Sequence, residues 1–416
     1  MPWTPGQAEG YLLGLELFGM RFGLDRMHKL MTALGMPQRR FAQIHVVGSN
    51  GKSSTVRFTA AILERHGLRT GSYTSPHLRS FSERIEVGER PVGDTRLAAA
   101  VERAARAAGM VERTLDAGDK VTQFEALTAA AYHELAASRV DVAVIEAGLG
   151  GRYDATNVIP SRVQVLTGVG LEHTRWLGPT LTDIAEEKLA VVRDHATLVV
   201  GDLDPEAMAV AERTARAHTA RLVRAAAGIP DLSLRAAGGF QRRNFALAAA
   251  AAEAFLGRSL DPDAVGSAAA ETRVPGRLDL VGERPLTIHD GAHNPAGARA
   301  LADALPEVTE GRHPLVLVLS VLEDKDAASM LEALLPVADH LVLTRCANPR
   351  ALSPATLETL AEKIGAPSTE IAADPQRALE RAREVAGGGG AVVATGSIYL
   401  VADLVRQESG RRASTL

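Results

Sequence analysis

The run IHVVGSNGKSST, residues 44–55, passes from apolar side chains into Gly48-Ser49-Asn50-Gly51-Lys52 and then into hydroxyl residues. A strand that turns through glycines into a helix, here TVRFTAAILERHG, supplies what a bound anion needs. Successive backbone N–H groups face a concavity, the helix N-terminus adds partial positive charge, and Lys52 has the reach to meet β- and γ-phosphates. Gly48 and Gly51 let the backbone turn and approach a ligand closely, and a hydroxyl at Ser53 or Ser54 suits a phosphate oxygen or Mg2+. The spacing departs from the common phosphate loop, because Val46 stands where its first glycine belongs. A serine-capped strand-to-helix turn uses the same residues. Taken alone, the loop leaves nucleotide binding and a plain turn both open.

Three further turns carry chemistry-bearing side chains. YTSPHLRSFSERI (73–85), VIEAGLGGRYDATNVI (144–159) and VGLEHTRWLG (169–178) place Ser75, Glu146 and His173 just past apolar runs. A few such donors suit Mg2+, which keeps several waters and bridges substrate phosphates. Singly, Ser75 reads equally as a cap, Glu146 as a surface carboxylate and His173 as a turn histidine.

The elements that must position these residues show in the apolar patterning. The runs IHVVGSNG, VDVAVIEAGLGG, VQVLTGVGLEH, ATLVVGD, LTIHDGAHN, PLVLVLS, HLVLTR and AVVATGS are β-branched and continuous, as in strands buried on both faces. Ala/Leu/Glu/Arg segments of helical spacing, such as TQFEALTAAAYHELAAS and DAASMLEALLPVA, alternate with them. The alternation predicts α/β domains with mainly parallel sheets, which bind ligands at the carboxyl ends of their strands. TRVPGRLDLVGERP (272–285) mixes Pro, Gly and charge before a fresh strand and is expected to hold a domain boundary. GGGG at 387–390 reads as a loop, and the polar tail RQESGRRASTL as frayed.

At 416 residues, two or three domains are expected. A formal charge of −4 gives no electrostatic case for nucleic acid. Cys346 is the only cysteine, which excludes an internal disulfide and a cysteine-cluster metal site and fits a reducing, cytoplasmic location. The N-terminal MPWTPGQAEGYLLGLELFG lacks the basic start of a leader, and FALAAAAAEAFLG, interrupted by Glu253, reads as a buried helix and not a membrane span.

In order, the segments FGLDRMHKLMTALGMPQ, IHVVGSNGKSS, YTSPHLRSFSERI, TQFEALTA, VIEAGLGGRYDATNVI, LEHTRWLGPTLTDIAEEKLAVV, VPGRLDLV, IHDGAHNPAGARAL, LEDKD and ATGSIYLVADLV make nearly the whole chain resemble the folylpolyglutamate synthase and dihydrofolate synthase family of the Mur ligase superfamily. That family uses a compact loop of the form Gly-Thr-Asn-Gly-Lys-Gly-Ser. Ser49 stands for its threonine, Ser54 for its final serine, and Ser53 replaces its second-last glycine. The resemblance implies a P-loop ATPase domain over 1–276, a smaller Rossmann-like α/β domain over 285–416, and a linker or hinge at 277–284 that closes on substrate.

It implies Mg2+, at two sites, held by Ser54, Ser75, Glu146, His173 and Lys188. Lys188 matches a lysine whose carbamylation turns a repelling ammonium into an anionic oxygen ligand; without the resemblance it reads as a surface lysine paired with Glu186 or Glu187. Glu172 stands where the family usually has Asp. ATP contacts are implied at Gly48, Ser49, Asn50, Gly51, Lys52, Ser53, Ser54, Asn244, Arg277 and Asp290. Substrate contacts are implied at His77, Arg84, Phe124, Arg152, Asp154, His293 and Ser397, with Lys52, Lys188, His173, Arg277 and His293 catalytic.

The implied reaction joins L-glutamate to a folate or dihydropteroate carboxylate through an acyl phosphate, in a monomer without nucleic-acid or membrane partners. A Mur-type ligase acting on a cell-wall nucleotide precursor shares the loop but not TSPHLRSFSERI or TGSIYL. A P-loop GTPase or nucleotide-binding regulator is the reading from a different class.

Overall fold

The computed structural model describes residues 1–16, 23–116 and 118–407, which form two compact units. The first comprises residues 1–75, 81–233 and 242–272; the second comprises 76–80, 234–241 and 273–416. Residues 17–22 of the N-terminal stretch and 408–416 of the tail expected to fray lie outside the described residues. Arg406 and Gln407 of that tail close a helix, Ile398–Gln407.

Eight strands build the first unit's sheet. They are β1 (Ala42–Val47), β2 (Thr70–Tyr73), β3 (Ile85–Val87), β4 (Arg90–Pro91), β5 (Val142–Glu146), β6 (Val163–Leu166), β7 (Thr197–Val200) and β8 (Arg221–Arg224). Their order is β4-β3-β2-β5-β1-β6-β7-β8, with β3 and β4 antiparallel and the rest parallel. β1 lies between β5 and β6, with Val46 opposite Glu146 and Val47 opposite Leu166. The turns that leave these three strands therefore emerge side by side at one carboxyl edge. All five residues of β5 are buried, as the continuous apolar run requires.

Two helices that carry candidate residues begin with reciprocal caps. Thr122 caps Gln123–Ala137 by accepting from the Glu125 amide, while the Glu125 carboxylate accepts from the Thr122 amide at 2.9 Å. Glu125 also pairs with Arg26 at 2.9 Å, which anchors this start in the core. Thr180 and Asp183 repeat the device at the head of Leu181–Leu189.

The second unit's sheet contains β9 (Asp279–Glu283), β10 (Leu286–His289), β11 (Leu315–Leu319), β12 (His340–Leu343), β13 (Thr369–Ile371) and β14 (Ala391–Thr395). The order is β13-β12-β11-β14-β10-β9, parallel except for β9. One face packs Ile288, Leu317, Leu341 and Val393 against helices that include Leu301, Leu331 and Leu357; the other buries Val316, Val342 and Val392 with Leu379 and Leu400.

The expected linker at 277–284 is not one in the fold. Its residues 279–283 form β9, a strand paired antiparallel with β10. The Pro, Gly and charge that suggested a linker are the turn chemistry of this hairpin. GGGG is a loop between the helix ending at Ala386 and β14, as expected. FALAAAAAEAFLG lies in the helix Gly239–Leu256, and among the described residues no helix is long and apolar enough to cross a membrane.

Candidate functional site

In the first unit the loop from β1 enters the helix Lys52–Arg65 through two left-handed glycines, Gly48 at φ 147° and Gly51 at φ 83°. A Cβ at 48 would lie 2.0 Å from Thr167 Oγ1, and one at 51 would lie 2.4 Å from Asn244 Oδ1. Both positions therefore need glycine for conformation and for space, and Asn244 lies against the loop at Gly51. Thr167 Oγ1 donates to the Asn50 carbonyl at 2.6 Å, and the Gly170 amide donates to Ser49 Oγ at 3.0 Å. The hydroxyl at Ser49 thus pins the loop to the turn after β6. Thr167 and Gly170 were not singled out from the sequence, although a hydroxyl and a glycine just past a strand were the available signal.

Lys52 curls back over the loop, Nζ donating to the carbonyls of Gly48 (2.9 Å) and Ser49 (3.1 Å). Lys188 approaches the same glycine from the opposite side of the sequence, Nζ donating to the Gly48 carbonyl and to Glu172 Oε1, both at 3.0 Å. Lys188 is 1% exposed, so the surface-lysine reading fails. Its proposed partners are engaged elsewhere, Glu186 with Arg213 at 3.1 Å and Glu187 with Arg152 at 3.2 Å. Burial pulls the Lys188 ammonium below the ordinary lysine range, opposed by Glu172. Burial pushes the Glu172 carboxyl up, but Lys188, Lys52 and His173 together hold it at about 2. Glu172 thus stands as a carboxylate beside the loop, with His173 next to it at φ 49° in the left-handed region.

Glu146 ends β5 almost wholly buried. Its Oε1 accepts from Ser53 Oγ at 2.9 Å and its Oε2 from the Ser75 amide at 3.1 Å. Ser54 is buried in the first turn of the helix. Among the described residues no group of three or more His, Cys, Asp or Glu side chains is placed to hold a metal ion by itself. A single buried carboxylate with neighbouring hydroxyls does fit Mg2+, whose remaining positions go to water and phosphate.

The glycine-rich turn after β5 is shaped by its own residues. Phe124 covers Gly148 so closely that a Cβ there would lie 2.6 Å from its ring. Asp154 was expected to touch substrate, but it is buried and accepts from the Leu149 amide at 2.8 Å and from the Thr156 amide at 3.0 Å. It also accepts from the Thr156 hydroxyl, which in turn meets His45 Nε2 at 2.9 Å. Its carboxylate organises the turn. Arg152 is exposed, paired with Glu187. Arg84 is 1% exposed, with its guanidinium 5.5 Å above the Phe81 ring.

The second unit has its own strand-end cluster. Asp290, just past β10, accepts from the amides of Leu278 (2.9 Å) and Ala292 (2.8 Å). Burial raises its carboxyl and Arg277 opposes the rise. The Arg277 guanidinium lies along Gly291, where a Cβ would come within 2.6 Å of Nη1. His293 Nδ1 donates to the Gly291 carbonyl at 2.8 Å, which makes Nε2 the acceptor nitrogen of the neutral ring. Ser397 is buried, its hydroxyl accepting from the Tyr399 amide at 3.2 Å. His77 is buried in the segment 76–80, whose Leu78 packs on Val401, Ala402 and Val405.

Residues 276–398 match the family described as Mur ligase, glutamate ligase domain. The chain is 36% identical over 396 residues to the dihydrofolate synthase/folylpolyglutamate synthase of Mycobacterium tuberculosis, covering 86% of this chain and 81% of that one. It is 31% identical over 425 residues to the protein of the same name from Bacillus subtilis, covering 95% and 97%. Among solved structures, Mycobacterium tuberculosis folylpolyglutamate synthase complexed with ADP superimposes with a TM-score of 0.90 at 34% identity, over 99% of each chain. With a relative this similar over most of both lengths, the chain belongs to the folylpolyglutamate synthase and dihydrofolate synthase family, ATP-dependent ligases of the Mur ligase superfamily.

Proposed function

We propose that the residues gathered around Gly48 bind ATP and activate a folate or dihydropteroate carboxylate, to which L-glutamate is then joined, with ADP and phosphate released. The observation that carries this reading is the convergence of Lys52 and Lys188 on the Gly48 carbonyl, in a loop whose glycines admit no side chain. The amides of 48–54 and the N-terminus of the helix Lys52–Arg65 receive the phosphates, Lys52 swings from the loop carbonyls to the β/γ-oxygens, and Asn244 orients the nucleotide. Glu146, Ser75, His173 and a carbamylated Lys188 would hold Mg2+, with Ser54 on the loop side. When bound, Mg2+ neutralises charge on the transferring phosphoryl group. Desolvation of Lys188 supports carbamylation, because a neutral amine is the form that adds CO2.

In the second unit, Arg277 binds phosphate and Asp290 fixes the backbone that carries it. His293 Nε2 takes the proton that the glutamate ammonium must lose before its nitrogen attacks the acyl carbon. Ser397 shapes the glutamate side from beneath. Phe124 and Arg152 flank the acceptor, with Asp154 and Arg84 supporting from within. The lone, buried Cys346 supports a reducing, cytoplasmic location.

Phosphate release with ATP, L-glutamate and one acceptor at a time tests the reading. Dihydropteroate, a reduced folate or both are expected to sustain turnover. Release with a UDP-linked cell-wall precursor alone would transfer the chain's activity to the other Mur-type chemistry, and release without any acceptor would favour a nucleotide-driven regulator.

A further inference from the structure

His45 lies in β1, directly opposite Ile145 of β5, and is wholly buried. Its Nε2 meets the Thr156 hydroxyl at 2.9 Å. That hydroxyl gives its single proton to Asp154 Oδ1, so it accepts from the ring. Nε2 therefore carries the hydrogen, and Nδ1, which has no hydrogen-bond partner among the described residues, is bare. Burial, helped by Arg193, holds the imidazole down at about 3, so the ring stays neutral and the bonds keep one direction. They end on the Asp154 carboxylate, which gathers the Leu149 and Thr156 amides, while the Tyr132 hydroxyl donates to the Thr156 carbonyl at 2.9 Å.

The other interior positions of this strand, Ile44, Val46 and Val47, are apolar and wholly buried. A buried ring with one nitrogen unpaired costs stability that an apolar side chain would not. What the ring adds is a single donor aimed at the glycine-rich turn after β5. That turn carries Arg152 and lies under Phe124, which covers Gly148.

We infer that His45 is a positioning residue for the acceptor: through Thr156 and Asp154 it locks the turn 148–154 to the strand that carries the phosphate loop. The inference rests on the proposal that Phe124 and Arg152 flank the acceptor. A ring that only filled the core would be replaced by phenylalanine with a change in stability and none in acceptor binding.

The test is steady-state phosphate release with dihydropteroate and with tetrahydrofolate, for the unaltered chain, His45→Phe, His45→Gln, Thr156→Val and the doubly substituted His45→Phe, Thr156→Val. The acceptor KM is expected to rise about tenfold in His45→Phe and in Thr156→Val, with KM for ATP and for L-glutamate unchanged. The double variant is expected to lose no more than either single one, because both changes cut the same series of bonds. His45→Gln keeps an amide donor directed at Thr156 and is expected to restore the acceptor KM. An unchanged acceptor KM in both single removals would overturn the inference, as would losses that multiply in the double variant, equal rises in all three KM values, or a Gln variant no better than Phe. Removals on two different elements guard against one failing to fold. If the unaltered chain released phosphate with neither acceptor, the proposed function would fall and take the inference with it, a result distinct from any difference among variants.

Discussion

Lys188 concentrates the chemistry of the site in one side chain. It sits on the helix Leu181–Leu189 beside Ile184, Ala185 and Leu189, all buried. Those positions share one helical face with it, so the period itself pointed inward, against the reading of a surface lysine. Buried amines of this kind survive only when paired or modified. The proposed carbamylation would exchange a cation facing Glu172 for an anion, and two anions side by side would then call for a cation between them. Lys188→Ala is expected to lose about a hundredfold or more in turnover and to recover part of it with acetate or formate. Steady-state phosphate release measures both. The variant also leaves Glu172 buried without its partner, so a lower melting temperature is expected under either reading; the absence of any carboxylate rescue is what would remove the carbamate from the account.

At the scale of elements, the strands that position the site were legible and the sheet margins were not. The eight apolar runs all form strands, because a strand covered on both faces must be apolar throughout. The four edge strands, β4, β8, β9 and β13, escaped notice. Arg90–Pro91 and Arg221–Arg224 carry charge or proline, and Thr369–Ile371 is short and half exposed, the properties that keep edges from pairing further. The mistaken linker has the same cause, since β9 exposes Leu280 and Val281 at an edge. Sequence names a residue type without its direction, so the burial of Asp154 and Arg84 appears only in the fold.

β10 carries a further consequence. His289 is 1% exposed, and neither ring nitrogen has a hydrogen-bond partner among the described residues. Burial, helped by Arg383, holds its imidazole down at about 4, against an ordinary 6.5. The unfolded chain therefore binds a proton between these values that the folded chain refuses, so stability is fully present above pH 6.5 and falls as pH drops toward 4. The loss attributable to this ring reaches about 3 kcal/mol at pH 4. Thermal unfolding from pH 7 to pH 4 is expected to show a shallower decline for His289→Leu than for the unaltered chain; parallel declines would mean that the ring finds a partner when charged.

At the scale of the molecule, chain order and spatial grouping part company. Residues 76–80 and 234–241 group with the second unit although long stretches of the first surround them in sequence. Composition marks a boundary where Pro, Gly and charge collect, and it has no means of marking such excursions, whose contacts are made far along the chain. TSPHLRSFSERI was recognised as a segment, yet its division between units appears only in three dimensions.

In the proposed reaction an acceptor oxygen moves onto phosphorus and then leaves with it. Carboxylate oxygen attacks the γ-phosphorus, and when the glutamate nitrogen displaces phosphate from the acyl carbon, that oxygen leaves in the phosphate. An acceptor labelled with 18O in its reacting carboxylate, turned over with ATP and L-glutamate, tests this directly by mass spectrometry of the phosphate released. One labelled oxygen per phosphate is predicted, formed in step with the glutamylated product. Unlabelled phosphate would mean that water receives the phosphoryl group, and would contradict the proposed ligase chemistry.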